Sequence, residues 1–281
     1  MKILNYKILL KKEPEGGFTV FVPSLPGCIT YGDTLDEAIE KAKEACKNSG
    51  YAIPDHFVEA AKMKLLLTSN GFSNKSIANA LKELAGKDFP ELNLIFIPTA
   101  ANIMDENKTY LIDDLYNCKK LGFKQIDIVD IGALPVEIIK KRLEKADVLM
   151  FGGGDTFYLR DWIWKTGLRE SLPKLLETRV YVGISAGSMV ATANLSLSDV
   201  KKLYYEHIRE KDIDEKALGF VNFLFRPHLN SAYFPNVNVE FLTKQAKETI
   251  LPIYAADDQT AIKVDGEKVE VISEGEWKRF N

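Results

Sequence analysis

Residues 1 to about 50 alternate short apolar runs with turn residues and end in a segment whose apolar positions recur every three or four residues. Runs of strand length bounded by glycine and proline predict strands, and a 3.6-residue period predicts a helix. Thr34, followed three residues later by Glu37, forms a capping box that marks where the helix begins. The predicted elements are strands near 3–12, 18–22 and 28–31 and a helix from about 35 to 48.

From Met63 onward, apolar strand-length runs alternate with amphipathic segments. Strands are predicted over 63–68, 92–97, 125–129, 147–151 and 180–182, and helices over 74–84, 107–120, 135–145 and 156–165. Strands this apolar are buried on both faces, which favours a doubly wound, mostly parallel α/β sheet. Later strands are expected over 220–225, 260–264 and 268–272, with a helix near 239–249. The last two strands, joined across Asp265-Gly266, predict an edge hairpin.

The segment between these parts contains Pro54 and has neither period, as expected of a linker. We therefore predict two domains, a small α+β domain over residues 1–58 and an α/β domain over residues 63–281.

Composition narrows the functional classes. A formal net charge of −3 with 27% charged residues argues against a nucleic-acid-coating or membrane-surface protein. The three cysteines lack the spacing of a metal or redox site, and no apolar run is long enough to span a bilayer. We expect a cytoplasmic protein with no metal and no cofactor.

The chemistry centres on Gly183-Ile184-Ser185-Ala186-Gly187, which follows the apolar strand at 180–182. This G-x-S-x-G spacing is typical of a nucleophile elbow, a sharp strand-to-helix turn that projects a serine hydroxyl from the sheet. A Cβ at either glycine would collide with the strand or the helix. The following helix would direct its free N–H groups toward an oxyanion forming there.

Acyl chemistry at a serine also needs an oxyanion hole and a base. Gly152-Gly153-Gly154-Asp155 lies between a strand and a helix, so one of its N–H groups could join that of Ala186 as a donor. Asp155 is also a candidate helix N-cap. Of the three histidines, His228 comes just after the carboxyl end of an apolar strand. Sites in open α/β sheets form at the carboxyl ends of the strands, which makes His228 the candidate base.

The acid that would orient the base is open between several carboxylates. Asp199 lies fourteen residues after Ser185, and the alternatives are Glu206, Asp257 and Asp258.

With these motifs in order, residues 63–281 resemble the dipeptidase E family of serine peptidases, the alpha-aspartyl dipeptidases, which share the class I glutamine amidotransferase-like fold. The motifs that carry the likeness are Gly152–Phe157, Gly183–Gly187 and Pro227-His228. The resemblance implies Ser185 as nucleophile and His228 as base. It further implies Asp199 as third member and Gly154 with Ala186 as oxyanion donors.

Two positions depart from that family. Asp155 stands where the family usually has asparagine. The family also grips a substrate aspartate with an arginine shortly after the histidine, whereas residues 229–238 contain none and only Arg226 is near.

The N-terminal region contains three distinctive segments, Gly16–Val20, Leu25–Cys28 and Gly32–Ala38. Through these segments, the first fifty residues resemble the HicB family of small antitoxin domains. This resemblance implies a partner-binding module for a toxin-like protein or for homo-oligomerisation. The DNA-binding segment that many members carry is absent from the sequence, so no direct DNA binding is expected.

We therefore expect a serine peptidase that hydrolyses a short, dipeptide-like amide. A glutaminase is disfavoured because no cysteine occupies the elbow. An ordinary α/β-hydrolase esterase is disfavoured because only 96 residues follow Ser185. The alternative of a different class is a binding protein with an antitoxin-like head whose enzymatic site has lapsed.

Overall fold

A computed structural model describes residues 9–13, 15–21, 29–48, 63–198 and 215–281. The chain divides into two compact units, Met1–Glu59 and Ala60–Asn281. Among the described residues, no helix combines the length and apolarity needed to cross a lipid bilayer.

The N-terminal unit is an antiparallel three-stranded sheet with one helix. Strands β1 Leu9–Lys12, β2 Phe18–Phe21 and β3 Ile29–Gly32 pair in chain order, and helix α1 spans Leu35–Asn48. The Thr34 hydroxyl accepts from the Glu37 N–H at 3.2 Å, which caps the helix as predicted. The buried side chains Ala38, Ala42 and Val20 form its small core.

The C-terminal unit is built on a seven-stranded sheet. Its strands are β4 Lys64–Thr68, β5 Asn93–Ile97, β6 Gln125–Ile128, β7 Val148–Phe151, β8 Val180–Ile184, β11 Thr260–Asp265 and β12 Lys268–Ser273. They lie in the order β12-β11-β4-β8-β7-β5-β6. The five neighbouring strands β4, β8, β7, β5 and β6 are parallel, while β11 and β12 form an antiparallel hairpin at one edge. The predicted mostly parallel α/β fold is confirmed.

Helices cover both faces of this sheet. They are α2 Lys75–Ala85, α3 Thr109–Leu121, α4 Val136–Leu143, α5 Thr156–Lys165, α6 Leu168–Leu175 and α7 Ala186–Val190. Helix α8, Val239–Gln245, packs instead in a separate apolar cluster with Leu224 and Ile253. Because side chains alternate along a strand, Leu65 and Leu67 of β4 face one apolar core and Leu66 faces the other.

A second sheet of three strands holds part of the candidate site. Its strands are β9 Leu224–Arg226, β10 Ile253–Ala256 and β13 Trp277–Phe280. Strand β10 lies in the middle, parallel to β9 and antiparallel to β13. The sequence placed a strand at 220–225 but did not predict β10, β13 or helix α6. In the structure, the strand there is confined to 224–226.

Candidate active site

Ser185 lies at the sharp turn between β8 and α7, with φ 47° and ψ −104°. Its N–H donates to the Thr68 carbonyl of the neighbouring strand at 3.0 Å, and its own carbonyl accepts from the Ser188 N–H at 3.0 Å. The backbone on both sides of the serine is therefore fixed in a left-handed conformation that few non-glycine residues adopt.

The two glycines of the motif give the turn the space that it needs. A Cβ on Gly183 would lie 2.5 Å from the Ser188 nitrogen, inside the helix that follows. A Cβ on Gly187 would lie 2.0 Å from the Phe151 carbonyl oxygen on the adjacent strand. Both contacts are with backbone, so neither can be relieved by a side-chain rotation.

His228 reaches Ser185 from the second sheet. It follows β9 with φ 64°, and its N–H donates to the Ser69 hydroxyl at 2.7 Å. Its Nε2 lies 2.9 Å from Ser185 Oγ, while its Nδ1 lies 2.7 Å from Asp258 Oδ1. The ring thus bridges a hydroxyl and a carboxylate, which is the arrangement that activates a serine by general-base catalysis.

The carboxylate at Nδ1 is Asp258, one of the alternatives that the sequence left open. Asp258 follows β10, so it and His228 come from the carboxyl ends of two neighbouring parallel strands. Its neighbour Asp257 is occupied otherwise, since its carboxylate accepts from the Gln259 N–H at 3.0 Å and the Thr260 hydroxyl at 2.7 Å. Asp199 and Glu206 lie outside the described residues.

The glycine-rich turn after β7 lies on the other side of Ser185. A Cβ on Gly153 would be 3.6 Å from the Ser185 Cβ, so this residue borders the nucleophile directly. Gly154 has φ 131°, and a Cβ there would lie 2.3 Å from the Ala100 carbonyl oxygen. The flanking Gly152 and Asp155 amides donate to Ile97 and Ala100 at 3.0 and 2.8 Å, which makes Gly153 and Gly154 the candidate donors of this turn.

Asp155 is the N-cap of α5, where its Oδ1 accepts from the Tyr158 N–H at 2.8 Å. The residue is fully buried, and in the part of the chain that the structure describes its Oδ2 has no hydrogen-bond partner. Burial raises the pKa of this carboxyl to about 6, with a smaller contribution from the nearby charge of Asp161.

Arg226 is the one arginine near His228 in sequence, and its side chain is buried. Its side chain is 4% exposed, and it donates to the Leu197 carbonyl at 2.6 Å. The described residues also hold no group of three or more side chains able to ligate a metal ion.

The sequence model described as "Peptidase family S51" matches residues 65–272, which is most of the chain and includes the serine, the histidine and both aspartates. The chain belongs to peptidase family S51. It is therefore a serine-type peptidase, and the S51 match also covers the glycine-rich turn.

Relatives and a solved structure agree with S51 membership. An uncharacterized peptidase of Pasteurella multocida is 27% identical over 208 residues, 73% of this chain and 95% of the relative. Peptidase E of Streptomyces coelicolor is 25% identical over 231 residues, 78% of this chain and 87% of the relative. The crystal structure of a putative peptidase E from Listeria monocytogenes superposes with a TM-score of 0.62 at 24% identity, covering 76% of this chain and 99% of the other, and supports the fold.

The N-terminal unit matches a different family. The model described as "HicB_like antitoxin of bacterial toxin-antitoxin system" matches residues 6–61. The HicB-like resemblance of this region is thereby confirmed.

Proposed function

We propose that the chain hydrolyses short, dipeptide-like amides through an acyl-enzyme, with Ser185 as nucleophile, His228 as base and Asp258 as the acid that orients it. The observation that carries the proposal is the imidazole bridge, 2.9 Å from Ser185 Oγ and 2.7 Å from Asp258 Oδ1. The S51 match and the peptidase E relatives support a short peptide as substrate.

In the proposed reaction, Ser185 Oγ attacks the scissile carbonyl carbon while His228 Nε2 takes the hydroxyl proton. Asp258 accepts the Nδ1–H, which holds the other nitrogen in its basic form and stabilises the imidazolium that results. His228 then donates its proton to the leaving amine, and the C–N bond breaks. A water molecule, deprotonated by the same imidazole, finally hydrolyses the ester.

The tetrahedral intermediates place negative charge on the former carbonyl oxygen, which needs donors that are already in position. We assign these to the Ala186 N–H at the start of α7 and to an N–H of the Gly153-Gly154 pair. Two observations support this assignment. A Cβ on Gly153 would lie 3.6 Å from the Ser185 Cβ, so this residue is next to the nucleophile. Gly154 has a left-handed φ of 131°, which residues with a side chain rarely adopt.

Labelling with a fluorophosphonate probe tests the nucleophile. Wild type should form one covalent adduct by mass spectrometry, and Ser185→Ala should form none. Ser188→Ala, which removes the neighbouring hydroxyl of α7, is the matched control and should still be labelled. Absence of an adduct on wild type would contradict the proposal and favour the binding-protein alternative.

The acid is tested by comparing two variants. Asp258→Asn should slow labelling and hydrolysis by about 10²- to 10⁴-fold, because the imidazole then adopts the wrong tautomer. Asp199→Asn should react at nearly the wild-type rate. The reverse order of losses would return the role to Asp199.

A second function is supported for the N-terminal unit. We infer that it binds a protein partner, either a toxin-like protein or another copy of the chain, because residues 6–61 match the HicB-like profile. Edge strand β3 exposes an apolar side chain, Ile29, which is 59% exposed. Light scattering of the full chain and of Ile29→Glu tests self-association: a larger mass for wild type alone supports it, while monomers in both cases leave only the toxin-like partner.

A further inference from the structure

The loop that follows His228 is fixed at both ends. Leu229 and Val237, which flank its exposed part, are 4% and 1% exposed and therefore anchor it in the core. The Asn230 N–H donates to the Val237 carbonyl at 2.8 Å, and the Val237 N–H donates to the Phe234 carbonyl at 2.8 Å. The tip between these anchors is consequently held in one shape before any ligand arrives.

The tip presents two aromatic side chains beside the proposed base. The Phe234 ring stacks on the His228 imidazole, with ring centroids 4.4 Å apart and planes 12° apart. Phe234 remains 39% exposed, and Tyr233 next to it is 90% exposed. An ordered loop that leaves two aromatic rings in water next to an active imidazole offers apolar surface to whatever binds there.

In the described part of the chain, the charged groups seen in contact with this loop and its histidine are carboxylates. Residues 229–238 contain no Lys, Arg, Asp or Glu. Glu276 contacts the loop, since its carboxylate accepts from Asn230 Nδ2 at 3.2 Å. Asp258 lies at the Nδ1 edge of the imidazole, 2.7 Å from that nitrogen. A substrate aspartate here would therefore meet carboxylates and aromatic rings.

The chemistry of the imidazole decides which part of a substrate the rings would touch. His228 has to donate its proton to the leaving nitrogen, so the residue that leaves with the amine lies beside the imidazole. The ring that is stacked on the imidazole is therefore closest to the leaving residue, which in a dipeptide is the carboxyl-terminal one.

We propose that Tyr233 and Phe234 form the apolar wall that binds the leaving residue, and that the enzyme prefers dipeptides whose carboxyl-terminal residue is apolar or aromatic. This inference rests on the proposed function. When a substrate side chain packs against such an apolar surface instead of remaining in water, kcat/KM rises by roughly ten- to hundredfold.

The test is a dipeptide series with a constant amino-terminal residue and Phe, Leu, Gly or Asp at the carboxyl terminus, repeated for several amino-terminal residues. Wild type should show kcat/KM at least about tenfold higher for Phe than for Gly or Asp. Tyr233→Ala should bring the ratio of kcat/KM for the Phe substrate to that for the Gly substrate toward one. Phe234→Leu keeps an apolar side chain, so it should change this ratio less than Phe234→Ala.

Ile250→Ala is the matched control, because Ile250 is 96% exposed and precedes the amino end of β10, opposite the site. It should keep the wild-type ratio. Hydrolysis of the whole series without preference, or an unchanged ratio in Tyr233→Ala, would overturn this inference alone. No hydrolysis by wild type would overturn the proposed function together with it.

Discussion

Ser185 stands in a backbone conformation that an L-residue adopts at a cost of about 1–3 kcal/mol. The structure holds it there by the 3.0 Å bond from its N–H to Thr68 and by the first bonds of α7. The same turn presents the hydroxyl to His228, so one feature gives both the strain and the geometry on which the proposed reaction depends. The glycines around it then divide into those that let the turn form and those that leave space for a substrate.

Two alanine substitutions separate these roles. Gly187→Ala places a Cβ 2.0 Å from the Phe151 carbonyl oxygen, so we expect a loss of about 3 kcal/mol or more in the free energy of unfolding. Gly153→Ala places its Cβ 3.6 Å from the Ser185 Cβ, an ordinary contact. This variant should keep the wild-type melting temperature but react with a fluorophosphonate at least about tenfold more slowly, because its methyl group narrows the space before the nucleophile.

Melting curves and labelling rates of the two variants check this division. A Gly187→Ala protein that melts like wild type would show that the turn has more room than the Phe151 contact implies. A Gly153→Ala protein that reacts like wild type would show that the substrate does not pass the glycine-rich turn.

At the scale of elements, α5 begins with a buried acid where an amide would serve equally well as a cap. Asn and Asp are comparable N-caps, but Asn has no charge to bury. The pKa of Asp155 is raised from the usual 3.8 to about 6 by burial. The folded protein therefore keeps a proton that the unfolded chain has lost between about pH 4 and 6. Stability that is present below pH 4 is lost as the pH rises through about 6.

Asp155→Asn should remove this loss. We expect its melting temperature to exceed that of wild type by several degrees at pH 8, equivalent to on the order of 2 kcal/mol, and to approach it at pH 4. Asp155→Ala removes both the charge and the hydrogen bond from the Tyr158 N–H. Its gain in the free energy of unfolding should therefore be about 1 kcal/mol smaller than that of Asp155→Asn. A melting difference that does not vary with pH would contradict the assignment of this titration to Asp155.

Strands with continuous apolar runs could be predicted, whereas β10, β13 and helix α6 could not. Strands β4, β5, β7 and β8 are buried on both faces, so their sequence carries the signal. Strand β10 has four residues, Ile-Tyr-Ala-Ala, which fit a helix as well. In strand β13 both Lys278 and Arg279 are exposed, which removes the apolar alternation of a strand. Helix α6 contains Pro173, a residue that usually ends a helix.

The same limitation affected the site. Ser185, His228 and the glycine-rich turn have local signals: a spaced motif, a strand end and three consecutive glycines. Asp258 has none, because its relation to His228, thirty residues away, exists only when β10 pairs with β9. Since β10 was not predicted, sequence could name Asp258 as an alternative but could not prefer it to Asp199.

At the scale of the whole molecule, every side chain of the proposed machinery belongs to the unit Ala60–Asn281. The Listeria structure is matched over 99% of its length by only 76% of this chain. A protein can therefore have this fold without the additional quarter of the chain. The N-terminal unit has its own buried core of Val20, Ala38 and Ala42. Each unit thus has its own buried core and its own family match.

A chain that begins at Ala60 should therefore fold and hydrolyse dipeptides with kcat/KM within about twofold of the full chain, because no group that touches the reacting atoms has been removed. The full chain carrying Ile29→Glu is the control, since it alters the surface of the N-terminal unit while keeping its length. Steady-state hydrolysis and fluorophosphonate labelling of the three proteins provide the comparison. A loss of tenfold or more that is confined to the shortened chain, at an unchanged melting temperature, would mean that the N-terminal unit contributes to the site. An equal loss in both variants would trace the effect to self-association through β3.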